Sequence, residues 1–132
     1  MIDTKHLKQI PFFSHLDDER MNVVLKAFKT KEFRKGDVVI NQEGQANGMY
    51  VIIFGEVEVE INKKVITSLE ANDFFGEMAL VAHSPRSATI RVVSDGLSTL
   101  FLSKEAFKAI KDKLGEEVKQ EMLQRIIENY ED

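Results

Sequence analysis

The feature of this sequence that most constrains its fold is a series of short apolar runs separated by turn-forming residues through the middle of the chain. The run from Glu56 to Ile61 alternates acidic and apolar residues, which is the period of a strand with one buried face. Turn residues such as Gly36, Asn47-Gly48 and Asn62 separate the runs. The other runs are Val38 to Ile40, Met49 to Phe54, Val65 to Leu69, Ala88 to Val93 and Leu97 to Leu102. Seven or eight short strands in about 75 residues predict an antiparallel sandwich or barrel with jelly-roll closure.

Helical patterns flank this β region on both sides. Asp17 suits an N-cap, and apolar residues recur at helical spacing from Met21 to Phe28. Ser103 suits the cap of a later helix that buries Phe107, and a second amphipathic helix is expected over residues 116–130. The sequence therefore predicts an α+β fold in which an antiparallel β jelly-roll barrel carries an N-terminal helical segment, a short inserted helix and two C-terminal helices. We expect a single domain over 1–132, with N-terminal helices in 1–29, the barrel in 30–102 and the C-terminal helices in 103–132.

Composition narrows the function further. The chain has 18 basic and 22 acidic residues among 132, which argues against a fold-wide basic surface for nucleic acid. The longest apolar run is far shorter than the roughly 20 residues that span a bilayer, and no signal-peptide pattern opens the sequence. Cysteine is absent, so disulfides and iron–sulfur clusters are excluded. We expect a cytoplasmic domain that does not bind nucleic acid through this chain and does not insert into a membrane.

The residues indicate neither catalysis nor a metal site. The histidines never form a His-x-His pair, and the glutamates from Glu56 to Glu60 have no second carboxylate opposite them. No nucleophile–base pairing is readable. We therefore predict that the chain is not an enzyme and holds no metal or cofactor.

One segment, residues 74–90, interrupts the alternating pattern. Glu77-Met78-Ala79-Leu80 has high helix propensity and follows Gly76, which predicts a short helix inserted between two strands. A free helix N-terminus attracts anions, and glycine lets a phosphate approach the backbone. Arg86, placed after a proline, could close over the same anion. Taken alone, these residues leave open a phosphate site or an ordinary helical crossover with a surface arginine.

The same segment resembles a known family. Phe75-Gly76-Glu77-Met78-Ala79-Leu80, followed by Pro85-Arg86-Ser87-Ala88-Thr89, is similar to the phosphate-binding cassette of cyclic nucleotide-binding domains. That family includes the sensor domains of protein kinase A regulatory subunits, cyclic nucleotide-gated channels and the catabolite activator protein. The resemblance covers roughly residues 7–114 and includes upstream segments at 36–40, 42–44, 48–52 and 55–57.

The resemblance implies a cyclic nucleotide ligand, cAMP or cGMP, and a role for each cassette residue. Arg86 would pair with the cyclic phosphate, Glu77 would accept a hydrogen bond from the ribose 2′-hydroxyl, and Gly76 would leave space for the ribose. Ser87 would contact either the phosphate or the guanine 2-amino group, and the Arg-Ser-Ala-Thr pattern favours cAMP. The backbone amides at Met78, Ala79 and Ser87 would complete the phosphate cradle. The ligand-binding residues implied are Phe75, Gly76, Glu77, Met78, Ala79, Arg86, Ser87 and Ala88.

The resemblance also implies a moving element. In the family a C-terminal helix closes over the base, which here would be residues 116–130, with Arg125, Ile126, Ile127 and Tyr130 as the base-facing candidates. The C-terminal helices would then contact an effector domain or protein. A static core stripe or a dimer seam is the competing interpretation of this helix.

Three functions follow from the resemblance. The first is a cyclic nucleotide sensor that couples binding to movement of its C-terminal helix. The second is a nucleotide-free domain of the same fold that acts as a docking or dimerisation scaffold, against which the Glu77 and Arg86 pair argues. The third is the sensor half of a transcription regulator, whose helix-turn-helix is not found in this sequence and which the acidic segment 116–132 disfavours.

Overall fold

The computed structural model describes residues 4–8, 13–14, 16–45, 47–80 and 88–113, together with Glu116, Gln120 and Gln124. The strands are β1 (Lys29–Arg34), β2 (Val38–Ile40), β3 (Gly48–Phe54), β4 (Val57–Ile61), β5 (Lys64–Leu69), β6 (Phe74–Phe75), β7 (Thr89–Val92) and β8 (Gly96–Ser103). The helices are α1 (Thr4–Lys8), α2 (Asp18–Ala27) and α3 (Lys104–Lys111), and a single 3-10 turn, Glu77–Leu80, lies between β6 and β7.

The strands form two antiparallel four-stranded sheets, which confirms the predicted α+β jelly-roll architecture. The first, called here the β3 sheet, has the order β1-β8-β3-β6, and the second, the β4 sheet, has the order β2-β7-β4-β5. Every register pairs strands in opposite directions. Strands distant in sequence are therefore neighbours, as in a Greek-key connection.

Strand β3 is buried on both faces, and this explains its unbroken apolar run. Met49 and Val51 belong to a core cluster that includes Phe107 of α3, so this face of the β3 sheet packs under the helices. Tyr50 and Ile52 belong to a second cluster that includes residues of both sheets. A strand between two cores needs apolar residues at every position rather than at alternate ones.

Gly48 is the first residue of β3 and not part of the turn that Asn47-Gly48 predicts. It pairs with Ser103 of β8. A Cβ at this position would collide with the Leu102 carbonyl oxygen and would lie 2.9 Å from carbons of the Phe101 ring. The close approach of β8, rather than a turn conformation, accounts for the glycine.

Two strands are not among the predicted apolar runs. Strand β1, Lys-Thr-Lys-Glu-Phe-Arg, is exposed at five of its six positions but pairs with β8 along its whole length. Strand β6 has two residues and pairs with β3. Backbone pairing to β8 and β3 holds both strands, so side-chain periodicity does not reveal them.

The alternating strand β4 buries its apolar face at one end only. Val57 is fully buried, whereas Ile61 is 37% exposed. The edge strand β5 is more open still, with Val65 54% and Ile66 59% exposed. The prediction of a strand is correct, but the β4–β5 hairpin extends beyond the core, so the predicted buried face is limited to the Val57 end.

The predicted helix caps are confirmed. The Asp17 side chain accepts a hydrogen bond from the Arg20 backbone N–H at 2.8 Å at the start of α2. The Ser103 hydroxyl accepts one from the Ala106 N–H at 3.0 Å at the start of α3. These bonds satisfy amides that the first helical turn leaves without a partner inside the helix.

The C-terminal segment is described at three positions only. Glu116, Gln120 and Gln124 are helical and exposed, and the Gln120 side-chain amide donates to the Glu116 carboxylate at 2.9 Å. This i,i+4 contact agrees with a solvated helix face there. The predicted lid residues Arg125, Ile126, Ile127 and Tyr130 lie outside the described residues.

Candidate functional site

The cassette begins with a sharp change of backbone direction at Gly76. Its φ is +80°, a left-handed conformation between β6 and the 3-10 turn. The Ala79 N–H donates to the Gly76 carbonyl at 3.1 Å and closes that turn. A side chain at Gly76 would be strained in this conformation regardless of any ligand. The structure thus adds a conformational reason to the predicted need for space at this position.

Hydrogen bonds to β3 fix the chain just before the cassette. The Ile52 N–H donates to the Asp73 carbonyl at 2.8 Å, and the Asn72 N–H donates to the Ile52 carbonyl at 2.8 Å. Asn72 has a φ of +77°, a left-handed conformation that asparagine tolerates. The approach to the cassette is therefore held against the interior strand of the β3 sheet.

An aromatic stack in the core shared by the two sheets packs against the start of the cassette. Phe75 pairs with Tyr50, and their rings are stacked with centroids 5.1 Å apart and planes 13° apart. The Phe101 ring lies 4.8 Å from the Tyr50 ring on the same core cluster. Offset ring contacts of this kind stabilise beyond their buried area. Because Gly76 follows Phe75 directly, the stack fixes the first residue of the turn.

The sequence analysis did not single out Tyr50, although it stands in an apolar run that the resemblance includes. Its ring also lines a cavity of about 240 Å³. The other residues that line the cavity are Val39, Ile40, Asn41, Gly44, Gln45 and Asn47. Tyr50 therefore contacts both the cavity beside the β2–β3 loop and Phe75 of the cassette. Hydrophobic periodicity cannot show this role, because in a periodicity pattern tyrosine is only one more apolar residue of the strand.

The far side of the 3-10 turn is anchored in the helical core. Ala79 is 2% exposed, and Leu80 belongs to the same buried cluster as Phe107 and Ile110 of α3. A displacement of the turn therefore disturbs the packing of α3, since close-packed cores transmit small shifts.

The structure describes part of the predicted site. Phe75 is buried, and Ala88 is half-buried directly before β7. The backbone of Glu77 and Met78 is described as part of the 3-10 turn. Arg86 and Ser87 lie outside the described residues. The ligand-binding role of each residue stays a prediction.

Neither a metal-binding cluster nor a membrane-spanning helix is found among the described residues. No group of three or more His, Cys, Asp or Glu side chains in that part of the chain is placed to hold a metal ion. None of the helices found there combines the length and apolar character that a membrane span needs.

Residues 30–113 match the family model described as the cyclic nucleotide-binding domain. This span runs from β1 to the end of α3 and contains the whole cassette. The chain belongs to the cyclic nucleotide-binding domain family. The family model describes a binding domain, and the matched residues form the β sandwich together with the 3-10 turn between β6 and β7.

Similar proteins agree with this membership. The domain is 34% identical over 104 residues to the cGMP-dependent protein kinase of Plasmodium berghei, covering 79% of this chain and 12% of that protein. It is 33% identical over 134 residues to the cAMP-dependent protein kinase type II regulatory subunit of Drosophila melanogaster, covering 95% of this chain and 35% of that protein. The solved regulatory domain of Toxoplasma gondii PKA with cAMP is 28% identical, with a TM-score of 0.75, over 84% of this chain and 44% of that one.

This cyclic nucleotide-binding domain spans only about a tenth to a third of the length of these curated relatives. The family match ends at residue 113, so the predicted lid segment 116–130 lies beyond it.

Proposed function

We propose that this domain binds a cyclic nucleotide at the 74–90 cassette and serves as a regulatory sensor. The observation that carries the proposal is the family match over residues 30–113, which includes every predicted ligand-binding residue. The left-handed Gly76 and the 3-10 turn that follows it support the proposal, because they leave the backbone open to close approach by a ligand.

Charge assigns complementary roles to two cassette residues in this proposal. Arg86 offers a planar guanidinium that pairs with two phosphate oxygens, which a lysine cannot do. The phosphate would repel the Glu77 carboxylate unless Arg86 neutralised the phosphate charge. Glu77 gains a hydrogen bond only when the ribose 2′-hydroxyl points at its carboxylate. The two residues therefore favour a ligand that carries both a phosphate and a free 2′-hydroxyl.

The backbone amides contribute unequally. The Ala79 N–H already donates to the Gly76 carbonyl at 3.1 Å, so a phosphate oxygen would have to share that donor. We assign the remaining cradle contacts to the Met78 and Ser87 amides, with Phe75 and Ala88 as flanking contacts.

We propose cAMP as the preferred ligand. The Arg86-Ser87-Ala88-Thr89 pattern supports this choice, as does the similarity to a PKA regulatory domain solved with cAMP. The similarity to a cGMP-dependent protein kinase points the other way. The choice rests on Ser87, which contacts the phosphate if cAMP is preferred and the guanine amino group if cGMP is preferred.

We further propose that binding is signalled through the C-terminal helices. Leu80 of the cassette turn shares a buried cluster with Phe107 and Ile110 of α3, which leads into residues 116–130. A shift of the turn on binding would thus reach α3 through packed side chains. Arg125, Ile126, Ile127 and Tyr130 are proposed to cover the base, and the same helices are proposed to contact a cytoplasmic effector.

Calorimetric titration with cAMP and cGMP side by side tests the proposal. Binding of cAMP with at least about tenfold higher affinity than cGMP is expected, equivalent to about 1.4 kcal/mol. A cyclic-phosphate ligand lacking the 2′-hydroxyl serves as the matched control for Glu77. Heat with neither nucleotide would reject the sensor function and favour a nucleotide-free scaffold.

A further inference from the structure

A glutamine in the loop after β2 joins two other parts of the β4 sheet. The Gln42 backbone N–H donates to the Thr89 hydroxyl oxygen at 2.9 Å. Its side-chain Nε2 donates to Asn62 Oδ1 at 3.1 Å, and its Oε1 accepts from the Asn62 backbone N–H at 2.8 Å. One residue thus bonds the first residue of β7 and the turn between β4 and β5.

Thr89 pairs with Glu60 of β4 on one side of β7, but on the other side it lies beyond the last pair with β2. The last β2–β7 pair is Ile40 with Ile90, after a register shift that begins at Val38. The Gln42 bond to the Thr89 hydroxyl continues the connection one residue further along β7. Thr89 is also three residues after Arg86, so its position limits where the cassette backbone can go.

The turn at the other end of this bridge has an unfavourable backbone. Asn62 and Lys63 have φ values of +52° and +68°, as a two-residue hairpin turn of the mirror-image type requires. Asparagine tolerates that conformation, whereas lysine does so poorly. The paired bonds from the Gln42 side chain help to hold this turn in register.

We propose that Gln42 is a positioning residue for the cassette. By tying Thr89 to the β4–β5 turn, it holds the end of the cassette that follows Arg86, Ser87 and Ala88. Displacements of about 1 Å weaken oriented contacts severely, so an arginine on a fixed backbone binds a phosphate better than one on a loose backbone. The effect on ligand affinity rests on the proposed function, whereas the restraint on the backbone does not.

Reciprocity gives the proposal a second consequence. If the bridge favours ligand binding, ligand binding must stabilise the bridge by the same factor. The Asn62 amide, far along the chain from the cassette, is then better protected from exchange when the cassette is occupied.

The first test measures hydrogen exchange of individual amides by NMR in the ligand-free protein. Gln42→Leu keeps the bulk of the side chain and removes both bonds to Asn62. Thr89→Val keeps the shape and removes the acceptor for the Gln42 N–H. Exchange is expected to rise at least about fivefold at residues 88–91 in both variants, and at Asn62 in Gln42→Leu.

Ser94→Ala is the matched control, because it removes a similar network at the opposite end of β7. The Ser94 hydroxyl accepts from the Glu56 N–H at 2.8 Å and donates to the Gly96 carbonyl at 2.7 Å. This variant should leave exchange at residues 88–91 and Asn62 unchanged. Unchanged exchange at residues 88–91 in Gln42→Leu would overturn the proposal.

The second test is calorimetric titration of the same variants with cAMP. Gln42→Leu and Thr89→Val should each lower the affinity for cAMP about five- to thirtyfold. Ser94→Ala should bind cAMP within about twofold of wild type, although it loses about as much thermal stability as the other two variants. Gln42→Glu, which keeps the acceptor and loses the donor, should lie between. Equal affinities in Gln42→Leu and wild type would overturn the positioning role. If wild type binds neither nucleotide, the proposed function fails and the exchange data alone decide whether Gln42 restrains β7.

Discussion

Four residues other than glycine in the described part of the chain have left-handed backbone conformations. Glu43, Asn62, Lys63 and Asn72 all have positive φ without being glycine, and Gly76 joins them at the start of the cassette turn. Such conformations cost of order 1–3 kcal/mol each and persist only when the surroundings fix them. Here the surroundings are the hydrogen bonds of the β2–β3 loop, the β4–β5 turn and the segment before β6.

Glu43 offers a direct measure of that cost. Its φ is +67°, a conformation that glycine adopts without strain. Glu43→Gly should therefore raise the free energy of unfolding by up to about 1 kcal/mol, after the greater flexibility of the unfolded glycine is subtracted. Urea denaturation gives the change, and Glu32→Gly in the extended strand β1 is the control that should destabilise. A loss of stability in Glu43→Gly would mean that its side chain stabilises the loop more than its backbone strains it.

Arg86 carries the residue-scale prediction for function. Its replacement by alanine would leave the ligand phosphate without its charged partner, which costs roughly 3–5 kcal/mol for a pair closed from water. Affinity for cAMP should fall roughly a hundred- to several thousand-fold with the fold intact, as measured by calorimetry and circular dichroism.

Arg91→Ala provides the charge-matched control for Arg86. Arg91 lies on β7, the same strand as Thr89, and forms a 3.0 Å ion pair with Glu60 of β4. Affinity of this variant should stay close to wild type. Binding of Arg86→Ala within a few-fold of wild type would refute the phosphate assignment.

At the scale of elements, the helix caps decide where α2 and α3 begin and so how the helical core meets the β3 sheet. Asp17 caps α2, and its pKa lies below the ordinary value near 3.8. The chief cause is the hydrogen bond from the Arg20 backbone N–H, opposed by partial desolvation and aided by the charge of Arg20 and its side-chain bond. The folded state therefore binds this proton less readily than the unfolded chain does.

This lowered pKa predicts that the contribution of the Asp17 cap to the free energy of unfolding depends on pH in the acid range. Because the folded pKa is depressed, the stabilisation from Asp17 is complete above pH values near 4 and is lost as the pH falls through the folded pKa. Asp17→Asn keeps a capping side chain but has no charge to titrate. The stability difference between wild type and Asp17→Asn, measured by urea denaturation, should be constant from about pH 5 to 7 and shrink below pH 4. A difference that stays constant down to pH 3 would contradict the assignment.

At the scale of the whole molecule, the β3 sheet contributes to two buried cores, one shared with the helices and one shared with the β4 sheet. The 3-10 turn of the cassette lies between β6 and β7, and its last residue, Leu80, packs with α3 in the core shared with the helices. Strand β3 contributes to both cores, with Tyr50 under the cassette and Met49 under the helices. Strand β8 does the same, with Phe101 in one core and Leu102 in the other, so two adjacent strands connect the two cores.

The proposed lid is tested at this scale. Ligand should slow hydrogen exchange at residues 75–90 and also at residues 116–130, since a lid gains contacts only when the base is present. Hydrogen exchange with and without cAMP measures both segments at once, and residues 29–34 of β1, which pair with β8, serve as the internal control. Protection at 75–90 with no change at 116–130 would show binding without a lid.

Local sequence patterns predicted the class of the fold, which the structure confirms. Alternation in β4, the capping residues Asp17 and Ser103 and the apolar runs of β3 and β8 are local signals, because each reflects a preference of neighbouring residues for one backbone period or one cap. The interruption at the 3-10 turn was visible for the same reason, since Gly76 and the four residues of that turn are contiguous, whereas its assignment as a phosphate-binding cassette came from the resemblance. Local chemistry of this kind is readable without knowing what lies opposite in space.

Only the tertiary structure decided which strands are neighbours and what holds them. Strand β1 is polar and forms because β8 provides a backbone partner that is distant in the sequence. In addition, the Thr99 hydroxyl of β8 donates to the carbonyl of Lys31, which is 68 positions earlier. Gly48 had the signature of a turn but is a strand residue, because the constraint comes from Leu102 and Phe101 of β8. The Tyr50–Phe75 stack and the Gln42 bridge likewise join residues distant in the chain. Long-range pairing leaves no periodic mark on either partner, so such contacts become visible only when the chain is folded.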